Sequence, residues 1–238
     1  MENLFELLSS LPYPGRGLFI GRSDDGKKAI LFYLLMGRST NSRNRVFVPD
    51  GCGIRTEAFD PSKVADPSLI IYAPVRVFEN KTIVSNGNQT DTIYDGLCQG
   101  KSFAGSLLSR TFEPDAPNYT PRISSVLNIE GGEMTYQMSM IRTAGGDPDV
   151  EVRSLFEFDS PKAGEGHFLR TYMGGGDPIP SYEGDPVLCS TKGWGNDPDA
   201  IANRIWDAMD QHNKVALFVR VIDLNSSSCS DRIINKLV

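Results

Sequence analysis

Apolar residues in this chain fall mostly into short runs separated by turn-forming residues, the pattern of a protein rich in strands. Lys28–Met36 (KAILFYLLM) is almost continuously apolar, which is how a strand buried on both faces reads. Ser68–Glu79 (SLIIYAPVRVFE) and Lys81–Ser85 (KTIVS) read as two further strands, joined by a tight turn at Glu79-Asn80. More strands are expected over Ile123–Leu127, Met134–Ile141, Val150–Phe158, His167–Met173 and Val215–Ile222. Several of these are consecutive, as antiparallel hairpins require.

Two segments carry helical punctuation instead. One begins near Thr90-Asp91, both good N-caps, and runs through Leu97, Phe103, Leu107 and Leu108. Gly96, Gly100 and Gly105 interrupt it, each costing about 1 kcal/mol relative to alanine, and mark a break into two pieces or a close approach to a sheet. The other has Asn196-Asp197 as cap and Pro198 in the first turn, followed by an apolar stripe of Ile201, Ile205, Trp206 and Met209. Strand runs interrupted by two helices predict an α+β fold whose sheets are covered by helices. A four-layer α-β-β-α sandwich and a two-layer α+β domain both satisfy the pattern.

Composition narrows the function more than the fold. At 238 residues and 39% hydrophobic content, the chain has material for one large domain or two small ones. A domain of this size buries roughly 70–75% of its unfolded surface. The start MENLFE lacks the basic and apolar segments of a signal peptide, and no apolar run reaches the roughly 18 residues of a membrane span. A soluble, cytoplasmic protein is expected. Cys52, Cys98, Cys189 and Cys229 are scattered without a CxxC pair and read as reduced thiols. The two histidines, His167 and His212, show no ligand spacing, so neither a metal site nor a Ser-His-Asp triad is indicated. A formal charge of −6 disfavours nucleic acid and anionic membranes as partners. An anionic small ligand would need a local basic cluster.

Three clusters offer chemistry. Gly37–Arg45 (GRSTNSRNR) follows a buried strand and holds three arginines and no acid. It suits phosphate oxygens, or is simply a solvated basic loop. Val84–Thr92 (VSNGNQTDT) runs small polar residues from a strand end into a helix start. Its free backbone N–H groups suit an anion or a carbonyl oxygen, and Gly87 lets a ligand approach closely; a turn and helix cap would use the same residues. Phe112–Arg122 (FEPDAPNYTPR) is stiffened by three prolines and presents two carboxylates, then an arginine before a strand. That is either a rigid active-site loop or a connection bearing a surface ion pair. Gly174–Pro178 (GGGDP) has the composition of a mobile lid, without a Walker or dinucleotide fingerprint. Tyr72, inside an apolar run, reads in isolation as a core tyrosine.

Taken together, Ile70–Ile93 (IIYAPVRVFENKTIVSNGNQTDTI) and Phe112–Asn128 (FEPDAPNYTPRISSVLN) are similar to two blocks of the archaeal-type inosine monophosphate cyclohydrolases, in the same order and at a similar separation. Upstream, Tyr13-Pro14-Gly15-Arg16 with Gly21-Arg22 resembles the family's opening strand, and Arg38-Ser39 with Arg43 its arginine loop. The likeness covers residues 13–128 well and the C-terminal half loosely. It implies one domain over residues 1–238, with two packed sheets between helix layers as in the N-terminal nucleophile hydrolases. Met1 is followed by Glu2 and not by Cys, Ser or Thr, so amidase chemistry at the chain start is not expected.

The implied reaction closes 5-formamidoimidazole-4-carboxamide ribotide (FAICAR) to inosine monophosphate (IMP) plus water, with no cofactor and no metal. The resemblance places Tyr72, Glu113 and Arg122 as the catalytic set: proton donor to the formyl oxygen, general acid or base, and neutraliser of oxyanion charge. Arg38 and Arg43 take phosphate or carboxamide contacts, with Arg45 an alternative to Arg43. Ser85, Asn86, Gly87, Thr90 and Asp91 line the site. The resemblance admits a homo-oligomer as well as a monomer. The competing reading is a noncatalytic purine-ribonucleotide-binding protein on the same fold.

Overall fold

The computed structural model describes residues 1–64, 67 and 69–238; Ser68, the first residue of one expected strand, lies outside them. The described residues form two sheets in which every ladder between neighbouring strands is antiparallel. The first sheet runs, in spatial order, β11 (Val187–Ser190), β10 (Glu165–Arg170), β1 (Arg16–Arg22), β2 (Lys28–Met36), β12 (Lys214–Asp223) and β13 (Cys229–Asn235). The second follows the chain directly: β3 (Arg45–Asp50), β4 (Gly53–Ala58), β5 (Val75–Phe78), β6 (Lys81–Ser85), β7 (Arg122–Glu130), β8 (Glu133–Ala144) and β9 (Asp147–Phe158).

Strand β2 matches its expected bounds and is buried on both faces. Alternate residues explain why it reads as one apolar run. Leu31, Tyr33 and Leu35 point into a core shared with Val84, Ile123, Leu127, Met138 and Met140 of the second sheet. Ile30, Phe32, Leu34 and Met36 point the other way, into a cluster with Leu4, Leu8, Ile201 and Ile205. Those four belong to α1 (Leu4–Ser10) and α5 (Pro198–Ala208). On the second sheet, Ile83, Val126 and Ile141 pack against Ile93, Phe103 and Leu107, which lie on or beside α3 (Gln89–Cys98) and α4 (Phe103–Ser106). Each sheet therefore has one face on the shared core and residues of the other face under helices.

Helix α5 starts as expected: Asp197 accepts the Asp199 N–H at 3.1 Å and Pro198 takes the first turn. The glycine-interrupted helix is two helices, broken at Gly100 in a left-handed conformation (φ +76°). Its first piece begins at Gln89, so Thr90 and Asp91 lie inside the helix and are not its cap.

Other expectations are corrected. The strand expected over Ser68–Glu79 is β5 alone, Val75–Phe78. Ahead of it, Pro74 has no N–H for a ladder, and Thr56 intervenes with its side chain. The Thr56 hydroxyl donates to Ile70 O at 2.8 Å and accepts from Tyr72 N at 2.8 Å. Tyr72 is accordingly buried but not in a strand. The strand expected over His167–Met173 ends at Arg170. Beyond it, Gly15 at φ +78° turns the partner chain so tightly that a Cβ there would sit 2.3 Å from Thr171 Oγ1. Helix α1, the single-turn helix α2 (Thr40–Arg43) and strands β3, β4, β11 and β13 are additional to the expected elements.

The doubly buried strand yields a test. Phe32 is fully buried, with its ring 5.2 Å from Phe19 and 5.9 Å from Phe168 between centroids. Phe32→Ala should cost about 3–5 kcal/mol in urea unfolding. Leu108→Ala, at an exposed position, should stay within about 0.5 kcal/mol.

Candidate active site

The end of β1, the arginine loop after β2 and the proline-stiffened loop before β7 meet at a cleft of about 370 Å³. Its lining includes Tyr13, Arg16, Arg38, Arg45, Glu113 and Tyr172. The chain's net charge is negative, but three guanidinium groups converge here.

Glu113 is the organising group, its side chain almost wholly buried. Arg16 Nη2 lies 3.6 Å from its Oε2, and Asn86 Nδ2 donates to its Oε1 at 3.4 Å. Burial pushes the Glu113 carboxyl above the usual carboxylate range, partly offset by the positive charges of Arg16 and Arg122. Burial, the largest single influence on Arg16, would lower its pKa, but the facing Glu113 carboxylate together with Tyr72, Tyr172 and Tyr13 outweighs it and the net shift is upward. Among the described residues Arg45 has no such partner, and burial lowers its pKa. Its Nε donates to Ser42 O at 2.9 Å, while among the described residues neither its Nη1 nor Arg16 Nε has a hydrogen-bond partner. Buried donors without acceptors are costly, and in a cleft wall they are available to an anionic or carbonyl ligand.

The other sequence-selected residues divide into two groups. Asn86, Gly87 and Arg122 belong to the network around Glu113. Asn86 accepts from Ile123 N at 2.9 Å and from Gln89 Nε2 at 2.8 Å, and donates to Pro121 O at 2.8 Å. Arg122 donates to Gln89 Oε1 and Thr111 O, both at 2.8 Å. It therefore stands behind Glu113 and is absent from the cleft lining. A Cβ at Gly87 would sit 2.6 Å from Gln89 Oε1 and 2.7 Å from Arg122 Nη1, so only glycine lets those side chains close. Arg38 lines the cleft and donates to Gly176 O at 2.8 Å, linking the arginine loop to the Gly174–Pro178 segment.

The second group serves the scaffold. Ser85 and Thr90 share a hydrogen bond at 2.6 Å, and both hydroxyls reach Gly87 O, bracing the turn. Asp91 pairs with Arg76 on the surface. Arg43 uses its guanidinium on Gly37 O at 2.9 Å and Asn213 Oδ1 at 3.1 Å, and of the two alternatives it is Arg45 that reaches the cleft. Tyr72 is buried, its hydroxyl 2.8 Å from that of Tyr33; it lies close enough to Arg16 and Arg45 to act on both guanidinium groups and is absent from the cleft lining.

Sequence reasoning missed Arg16, Gln89, Tyr33 and Tyr172 as site residues. Two carried a readable signal: Tyr33 is the one hydroxyl in an otherwise apolar strand, and Arg16 is a charge heading one. Tyr172 reaches the site only through the fold. Its hydroxyl meets that of Thr120, and burial pushes it up to about 12. Among the described residues, no group of three or more His, Cys, Asp or Glu is placed to hold a metal ion, and no helix is long and apolar enough to cross a membrane.

A family model described as "IMP cyclohydrolase-like protein" matches residues 13–227, reaching well into the half that the sequence resemblance covered loosely. The IMP cyclohydrolase of Methanopyrus kandleri is 32% identical over 163 residues, 67% of this chain and 75% of that protein. Those of Methanococcus aeolicus and Methanocaldococcus jannaschii are 29% and 26% identical, again over 67% of this chain and over 74% and 73% of theirs.

A pH dependence follows from the raised carboxyl. Between the ordinary carboxylate range and the higher folded-state value of Glu113, the folded protein holds a proton that the unfolded chain releases. Stability should therefore fall as pH rises through that window. Burial lowers the pKa of His167 and so contributes with the opposite sign; the decline is therefore read as the difference in urea midpoint between the wild-type protein and Glu113→Gln from about pH 4 to about pH 8.

Proposed function

Because this chain belongs to the IMP cyclohydrolase-like protein family, we propose that it closes FAICAR to IMP with release of water, the cleft being the active site. The observation that carries this reading is a buried carboxyl with a raised pKa at the wall of an arginine-lined cleft. A carboxyl whose charged form is disfavoured by burial and steadied by arginines is suited to accept and return a proton.

The reaction is intramolecular. The carboxamide nitrogen forms a bond to the formyl carbon, the formyl oxygen takes a proton, and the carboxamide nitrogen loses one. The resulting carbinolamine then loses its hydroxyl, protonated to water, together with the proton on the former formamido nitrogen. Holding the rotamer that brings nitrogen to carbon is worth several kcal/mol. Stabilising charge on the formyl oxygen is the other main contribution.

In this reading Glu113 takes the carboxamide proton and returns it to the departing hydroxyl. Tyr72 protonates the formyl oxygen, with Arg16 and Arg45 around it. Arg122, held behind Glu113 by Gln89 and Thr111, works with Arg16 to favour the charged form of that carboxyl against burial. Arg38, at the mouth of the cleft, takes the ribotide phosphate, leaving Asn86 and Gly87 to shape the wall. Two sheets sharing one core, with helices on their far faces, support a single four-layer α-β-β-α domain like that of the N-terminal nucleophile hydrolases. Cytoplasmic residence fits a biosynthetic enzyme of nucleotides.

The test is a spectrophotometric assay of IMP formation from FAICAR at neutral pH, with and without a chelator. Chelator-insensitive turnover above the spontaneous rate is expected, and Glu113→Gln should reduce it by at least about 10²-fold with the fold intact. Near-normal turnover in that variant would remove Glu113 from the mechanism. IMP binding without any turnover would identify a noncatalytic nucleotide binder.

A further inference from the structure

We propose that Tyr33 is a positioning residue, which donates its hydroxyl hydrogen to Tyr72 and thereby aims the Tyr72 proton at the reacting oxygen. The proposal rests on the reading of Tyr72 as the proton donor and adds what makes that donor directional.

Tyr33 sits at the middle of β2, in register with Leu18 on one side and Phe218 on the other. It is fully buried, and its ring packs 5.7 Å from that of Phe47. Both faces and both edges of β2 are covered, so the position is firmly held. Tyr72 is held differently. It lies outside the strands, on a segment tied to β4 through the Thr56 hydroxyl and backbone. A phenol on such a segment needs a fixed partner to keep one orientation, and Tyr33 supplies it at 2.8 Å.

The direction of the bond follows from burial. Among the described residues, the Tyr33 hydroxyl has Tyr72 Oη as its hydrogen-bond partner and no other. A buried O–H without an acceptor is penalised by about 1–3 kcal/mol. Tyr33 is wholly enclosed, with no access to ligand or solvent, whereas Tyr72 keeps some exposure and stands near the charges of Arg16 and Arg45, so the assignment that loses least has Tyr33 as donor and Tyr72 as acceptor. The Tyr72 hydrogen is then free for a ligand. Burial, the largest influence on Tyr33, also raises its pKa and keeps it protonated, as a permanent donor must be.

The arrangement matters most when the proton moves. As the carboxamide nitrogen attacks the formyl carbon, the Tyr72 proton passes to the formyl oxygen and negative charge appears on Tyr72 Oη. The Tyr33 hydrogen bond strengthens on that charge, with Arg16 and Arg45 nearby. When the carbinolamine dehydrates, the proton leaving the former formamido nitrogen restores Tyr72. Tyr33 itself neither gains nor loses a proton.

The test is a double-mutant cycle of Tyr33→Phe and Tyr72→Phe, reading kcat and KM separately. Tyr33→Phe should lower kcat by about tenfold or more and leave KM within about threefold. In the Tyr72→Phe background it should add nothing, because there is no hydroxyl left to orient. Equal losses in both backgrounds would make Tyr33 merely structural and overturn the proposal, as would an unchanged kcat in Tyr33→Phe beside a slowed Tyr72→Phe. Should Tyr72→Phe keep full turnover, the role of Tyr72 fails first, and that of Tyr33 with it. If Tyr33→Phe does not fold, 3-fluorotyrosine at position 33 retains the hydroxyl as a stronger donor. It should change kcat with Tyr72 present and not with Tyr72→Phe; an identical response in both overturns the assignment.

Discussion

Placing the carboxyl of Glu113 out of contact with water is the constraint around which the site is built. A buried carboxylate loses several kcal/mol of hydration, and removing a partner from a buried ion pair costs about 3–5 kcal/mol. The chain answers with groups from three strand ends. Arg16 comes from the first residue of β1, Asn86 from just beyond β6, and Arg122 from the first residue of β7. Glu113 itself rides on a loop closed by its N–H to Thr120 O at 2.9 Å and by the Asp115 carboxylate on Thr120 N at 2.6 Å. Because Arg16 belongs to one sheet and Asn86 and Arg122 border the other, the network exists only when the sheets are packed in this alignment.

That dependence explains why the core is so continuous. The cluster between the sheets draws on β1, β2 and β12 from one side and β6, β7 and β8 from the other. Interiors packed to this density deform little, so strand ends stay where the chemistry needs them. The cleft rim is tied as well. Arg38 reaches Gly176 O, and Ile179 N reaches Asn118 Oδ1 at 3.2 Å, so the glycine-rich segment touches the loops on both walls. For a ring closure within one molecule, such fixed geometry and charge are the larger part of what a protein can contribute.

Where pattern and structure agree, one physical cause dominates locally. Strand β2 reads as apolar from Ala29 to Met36 because both its faces are buried, and helix α5 is announced by Asp197-Pro198 and an apolar stripe. Where they differ, a distant residue decides. Thr56 replaces ladder bonds around Tyr72, and Gly15 bends the chain beside Thr171. Helix α1 was legible in principle, since Asn3 caps it and Leu4 and Leu8 lie one turn apart. So short a helix is marginal in isolation, and packing against α5 is what holds it.

The chain's order of residues determined an α+β protein with a doubly buried central strand and two glycine- and arginine-bearing loops. Together with Glu113 and the SNG turn, these also marked the family. Local periodicity and residue chemistry suffice for that, because burial and turn geometry act on near neighbours. Which arginine faces the ligand was left to the tertiary structure. Arg43 and Arg45 are two residues apart and alike in sequence, yet one is consumed by Gly37 O and Asn213 while the other is buried at the cleft with a nitrogen that no described residue engages. Arg16 and Glu113, 97 positions apart in sequence, and Tyr33 and Tyr72, 39 apart, meet only after the sheets have closed. The electrostatic and hydrogen-bond energies that define the site depend on those distances in space, and no local pattern encodes them.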